Sequence, residues 1–241
     1  MKKFVAVLLE VMAVACAQGS TKKVAKVPTV EKMYETSIND LNKKRFRSAA
    51  DGFEQIEELY AFTPHANKSV VLAAYSHYKA GNFDDSLKMV EYFKKINFDD
   101  SNTEYMFYLE ILNKAKQVEK SRKDLEKMKE TIKDIDNFLY NYPNSEYGSD
   151  VQNRRKHLVE LAIKNELNIA TYYINRNNLI GSLDHLNNVV EYLDSKYAAE
   201  ILYRIFNLYK HINYEDGYKT YYGVLRNNYS NTKWFRYANS K

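Results

Sequence analysis

The stretch Ala73-Ala74-Tyr75-Ser76-His77-Tyr78-Lys79-Ala80-Gly81-Asn82-Phe83-Asp84-Asp85-Ser86-Leu87 restricts the fold more than any other feature of the chain. Val71, Ala74, Tyr75 and Tyr78 recur at the i, i+3, i+4, i+7 spacing of one buried helix face. Ala74 is small enough for a second helix to lie close, Gly81 supplies a backbone free to reverse direction, and Phe83 plugs the bend. The pattern predicts a two-helix hairpin. Such a hairpin cannot bury its apolar face alone and needs neighbours of its own kind.

Those neighbours are written into the chain. Phe46 and Ala49 with Phe53 and Ile56 form an earlier unit, and Leu179 and Ser182 with Leu186 and Val189 form a later one. A further unit holds Thr131, Ile135 and Tyr142-Pro143, and a last one holds Tyr214, Gly217, Tyr221 and Val224. The arrangement resembles the tetratricopeptide (TPR) repeat. The small residues Ala49, Ser86, Thr131, Ser182 and Gly217 are spaced 37, 45, 51 and 35 residues apart, against a TPR period of about 34. The surplus marks insertions near 113–125 and 148–170. The first is a charged stretch that reads as a longer loop or a helical extension. The second follows Gly148 without Gly or Pro for about 25 residues and reads as one long helix or two nearly continuous ones. The expected fold is all-α, a TPR superhelical solenoid of about five helix-turn-helix repeats over residues 31–236 with a concave groove.

Composition agrees with this class. Only 7 Gly and 3 Pro sit among 28% charged residues, which disfavours a turn-dense β-sandwich. Tyrosine, with 22 copies beside 11 Phe, suits both half-buried helix faces and contact surfaces. The net charge of +5 is spread along the chain with acidic residues in nearly every basic stretch, so nucleic acid is not an expected partner.

The N-terminus reads differently. Met1-Lys2-Lys3 is a short basic region, and Phe4 to Ala15 is an apolar run of signal-peptide length, too short to span a bilayer as a helix. It ends Ala13-Val14-Ala15-Cys16, small residues before the lone cysteine, which resembles a lipobox in which Cys16 is lipidated and becomes the mature N-terminus. Lipoboxes usually carry Leu where this chain has Ala13, and Glu10 places an acid in the apolar run; a plain secretory signal cleaved nearby is the alternative. Residues 1–15 are thus expected to be removed and 16–30 to form a flexible, lipid-anchored tether, small, polar and basic. With Ala17 rather than Asp after the cysteine, the resemblance implies sorting to the periplasmic face of the outer membrane.

Tyr140-Asn141-Tyr142-Pro143-Asn144-Ser145-Glu146-Tyr147, and then Asn165 to Arg176 with its Tyr172-Tyr173 and Arg176, resemble the BamD family, in which a "YPNSEY" corner follows the third repeat and a "Y-Y-x-x-R" helix end opens the fourth. Leu59-Tyr60-Ala61-Phe62-Thr63-Pro64-His65-Ala66 is similar to that family's "YPFSPYA" corner, and the ending Ser230-Asn231-Thr232-Lys233-Trp234 also fits. Three corners depart: Ala61 replaces a proline, Asn97-Phe98-Asp99-Asp100 a second proline-containing corner, and Asn177-Asn178 a glycine turn. The resemblance implies a subunit of the β-barrel assembly machinery that binds the POTRA domain of BamA, meets accessory Bam lipoproteins, and recruits unfolded outer-membrane β-barrel proteins. It places substrate in the first two repeats, where Tyr34, Tyr60, Phe62, Tyr75 and Tyr78 are groove candidates. It places BamA docking in the C-terminal half, with Tyr172, Tyr173, Arg176 and His185 as candidates. Core packing is the other reading of each.

Catalytic motifs are absent: there is no HExxH, GxSxG, Walker loop or CxxC. His65, His77, His157, His185 and His211 are too scattered for ligand spacing, so no metal and no cofactor is expected. Asp84-Asp85, Asp99-Asp100 and Glu215-Asp216 sit where they would cap helices. The expected role is binding rather than catalysis, and a soluble periplasmic TPR adaptor for cell-envelope or peptidoglycan machinery is the alternative to the assembly subunit.

Overall fold

A computed structural model of the chain describes residues 28–61, 63–96, 101–121 and 124–240. The leader, Cys16, nearly all of the tether, Phe62 and the Asn97–Asp100 corner lie outside the described residues. Within them run eleven helices: α1 (Val30–Asn42), α2 (Phe46–Leu59), α3 (Pro64–Ala80), α4 (Phe83–Ile96), α5 (Thr103–Ser121), α6 (Leu125–Asn141), α7 (Gly148–Asn175), α8 (Leu179–Asn187), α9 (Ala198–His211), α10 (Glu215–Asn228) and α11 (Lys233–Asn239). They pair as α1–α2, α3–α4, α5–α6, α7–α8 and α9–α10, with α11 closing the end against α9 and α10. The fold is the five-repeat solenoid that the spacing predicts.

The five small residues are all buried at the crossings, Ser86 and Ser182 without any exposure. Ser86 Oγ donates to the Ala74 carbonyl at 2.7 Å and accepts from Asn113 Nδ2 at 2.9 Å, which ties repeat two to repeat three. Gly217 is required for the same reason of space, since a Cβ there would enter the rings of Tyr209 and Tyr214. The first surplus is a helical extension: α5 runs on to Ser121 and buries Asn113, Ala115 and Val118. The second is one 28-residue helix, α7.

Four of the hairpin turns share one backbone geometry. Lys44, Gly81, Asn177 and Asn213 each adopt a left-handed φ, between 57° and 81°. The following amide, of Arg45, Asn82, Asn178 or Tyr214, then donates to the carbonyl five residues back, at 2.9 to 3.0 Å. Asn177 therefore does the work of the glycine that its corner lacks. The corners between repeats recur as well. Thr63 and Thr232 each donate through Oγ1 to a preceding tyrosine carbonyl and accept from the helix amide three residues on. Ser145 and Ser195 each accept from the amide of a tyrosine two residues later.

The bend of the solenoid follows from its contacts. The first helices of successive repeats touch, α1 on α3, α3 on α5 and α5 on α7, and the second helices have no comparable contact with one another. The crowded side is the inner wall and the splayed side the outer one. Beyond α7 that seam thins, and repeat five is held instead through α8 on α9 and by Arg204 donating to Thr171 Oγ1 at 2.8 Å. Arg155 of α7 ties repeat three to the corner after α8, bonding Asp136 at 2.6 Å and Asp194 at 3.1 Å.

Candidate binding surfaces

On the inner wall, the tyrosines of three repeats meet. Tyr108 of α5 stacks on Tyr147, the residue that precedes α7, with ring centres 4.3 Å apart and planes 9° from parallel. Tyr105, one turn earlier on α5, tilts against both at 6.4 and 6.1 Å. Burial first, then the fields of the neighbouring tyrosines, pushes the Tyr105 hydroxyl well above the ordinary tyrosine range, and Tyr78 of α3 packs with Tyr105 and Tyr108 against one buried cluster. Tyr108 is pushed up to about 12 by burial and by its hydrogen bond to the Asp150 carboxylate, to which it donates at 2.9 Å. Arg154 donates to the same carboxylate oxygen at 2.6 Å. The result is a half-buried aromatic patch of four tyrosines, Tyr78, Tyr105, Tyr108 and Tyr147, with one ion pair at its edge, preformed on helices that pack against each other.

A second cluster sits at the far end of α7. Arg176 lies over the Tyr172 ring at 4.3 Å, Tyr172 meets Tyr173 edge-on at 5.6 Å, and Tyr173 stacks on His185 of α8 at 5.3 Å. His185 Nδ1 is 2.9 Å from Oε2 of Glu166, a carboxylate only 3% exposed, which also accepts from Asn188 Nδ2 at 2.9 Å. Above this support, Tyr172 is 50% exposed and Ile180 is 77% exposed. An exposed aliphatic side chain and an aromatic–arginine pair on the same α7–α8 hairpin have the composition of a protein contact.

Comparison with known proteins places the chain. The model of the YfiO family, described as outer membrane lipoprotein, matches residues 27–223. The chain belongs to this family. Similar curated relatives are named as the outer membrane protein assembly factor BamD. That of Neisseria gonorrhoeae is 27% identical over 83% of this chain and 80% of the relative. That of Caulobacter vibrioides is 21% identical over 96% of this chain and 77% of the relative. Among solved structures, that of PilW, a widely conserved type IV pilus biogenesis factor, overlays with a TM-score of 0.38 at 10% identity, over 87% of this chain and 97% of that one. Among the described residues no helix is long and apolar enough to cross a membrane.

Against that family background, the candidates named from sequence divide by place. Tyr172, Tyr173, Arg176 and His185 come together in one contiguous cluster. Tyr78 joins the inner-wall patch, and Tyr75, one turn before it on α3, has its ring under Lys79 Nζ at 5.9 Å. Tyr34 packs edge-on against Phe53 and His65, at 5.8 and 5.3 Å, where repeat one meets α3 of repeat two. The Tyr60 hydroxyl donates to the Pro28 carbonyl at 2.7 Å, as Tyr229 does to the Leu193 carbonyl at 3.1 Å, so both tyrosines latch the end of a repeat to its beginning. Tyr105, Tyr108, Tyr147, Asp150 and Arg154 were not among the sequence candidates. A signal for two of them exists, since Tyr105 and Tyr108 repeat the i, i+3 spacing of Tyr75 and Tyr78 one repeat later.

Proposed function

We propose that this YfiO-family chain is the BamD-type subunit of a β-barrel assembly machinery, anchored through a lipidated Cys16 at the periplasmic face of the outer membrane. Its inner-wall tyrosines receive extended, aromatic-ended segments of unfolded outer-membrane β-barrel proteins. Its repeat-four cluster docks a POTRA domain of BamA, and accessory Bam lipoproteins join the same scaffold. The observation that carries this reading is the pair of separate aromatic surfaces on one rigid helix array, in a member of a family described as outer membrane lipoproteins. A preformed tyrosine wall limits the ordering entropy that an extended segment loses on binding, and tyrosine hydroxyls can satisfy backbone groups that such a segment leaves unpaired.

The test is site-specific photo-crosslinking in the intact cell envelope. A probe at Tyr75 should capture unfolded β-barrel precursors, and a probe at Tyr172 should capture a POTRA-bearing protein. Capture of neither class, or of peptidoglycan enzymes at both positions, would sink the proposal. The anchor is checked separately: Cys16→Ser should leave the membrane fraction.

A further inference from the structure

A mostly apolar groove of about 270 Å³ runs between α1 and α2 in the terminal repeat, lined among others by Pro28, Lys32, Met33, Thr36, Gln55 and Leu59. Leu59 stands 55% exposed at its edge. The chain enters the groove at Pro28, which is itself part of the lining and is held there by the Tyr60 hydroxyl. Whatever precedes Pro28 is therefore delivered to the groove mouth, and a residue before proline favours extended or polyproline II backbone.

The preceding sequence, Lys22-Lys23-Val24-Ala25-Lys26-Val27, suits that conformation. At three residues per turn, Val24 and Val27 share one edge and Lys23 and Lys26 share the next, about 9 Å apart. Helix α2 offers the complement. Of its acids, Glu54 bonds His77 and Glu57 accepts from Tyr92. Asp51 and Glu58 are exposed and have no ion pair among the described residues. They lie two turns apart on the flank of the groove, about 10 Å along the helix.

We propose that Lys22–Val27 fills this groove, with Val24 and Val27 against Met33 and Leu59 and with Lys23 and Lys26 facing Asp51 and Glu58. Docked in this way, the lead into the solenoid leaves only residues 17–21 between Cys16 and repeat one, a reach of about 20 Å when fully extended. With Cys16 lipidated, repeat one is held against the lipid surface and the inner wall takes a defined orientation to it. That consequence rests on lipidation; the docking does not.

The experiment places a photo-crosslinking residue at Leu59 of the full-length chain in its own envelope and maps the adduct by mass spectrometry. The expected product is an intramolecular link to the peptide containing Val24 and Val27. The pair D51K/E58K should lower its yield about tenfold, with far-UV circular dichroism unchanged, and adding K23E/K26E should restore it. No intramolecular adduct, a link to a second copy or to another protein instead, or a yield indifferent to both charge reversals would overturn the proposal.

Discussion

The aromatic surfaces at the two ends of α7 use the same residue types and are held in opposite ways. At the start, Tyr105, Tyr108 and Tyr147 lean on one another between packed helices, so each ring is fixed by its neighbours and the patch exists before any partner arrives. Near the end, Tyr172 and Ile180 project from a polar support whose deepest member is the buried Glu166. The difference shows that a tyrosine's role in this fold depends on whether a neighbouring repeat covers it. The inner seam covers α5 and the beginning of α7, and it thins before the α7 terminus.

The largest effect that would break this comparison is on stability. Tyr108→Ala removes a stacked ring and leaves Asp150 with one donor fewer, and should cost about 2–3 kcal/mol in urea unfolding. Tyr172→Ala should cost under about 0.5 kcal/mol. Equal losses would mean that the two ends are not built differently. Next, Glu166→Ala should destabilise by about 1–2 kcal/mol, because the donors of His185 and Asn188 lose their shared acceptor. If its effect is confined to partner binding with no change in unfolding midpoint, Glu166 belongs to the contact and not to its support.

Alkaline titration sharpens the same contrast. The folded Tyr108 hydroxyl has its pKa raised from 10 to about 12. Its contribution to stability is therefore fully present below pH 10 and is lost as the pH climbs through about 12. Difference absorbance between the parent chain and Tyr108→Phe should show one tyrosine ionising in that upper window, and ionisation near pH 10 would contradict the buried patch. Smallest are the turns. Gly81→Ala forces a side chain into a left-handed backbone and should cost about 1 kcal/mol, whereas Lys44→Gly relieves that strain and should gain up to about 1 kcal/mol in a thermal melt.

Much of the architecture was legible because repeat physics is local. Helix periodicity and the small residues at the crossings set five hairpins from chemistry within a few residues, and the uninterrupted run after Gly148 left one long helix or two nearly continuous ones, of which the structure has the first. The turns were legible only at Gly81. Asn177 and Asn213 adopt the same geometry because asparagine tolerates the left-handed region, whereas Lys44 is held there by the packed helices on either side against the preference of its side chain. The binding candidates divided along the same line. Tyr172 and Tyr173 at the end of α7 and Arg176 at its cap are close in the chain, and the family resemblance names all three. Tyr75, Tyr78, Tyr105, Tyr108 and Tyr147 belong to three repeats.

The sequence by itself determined the unit, a helix pair that must stack, and hence the class of fold. Tertiary structure decided which tyrosines share a surface, which one latches Pro28, and where the wall gives way to exposed side chains. Periodicity states which side of a helix is apolar, but the superhelical bend, set by contacts between residues tens of positions apart, decides which of those sides close on one another.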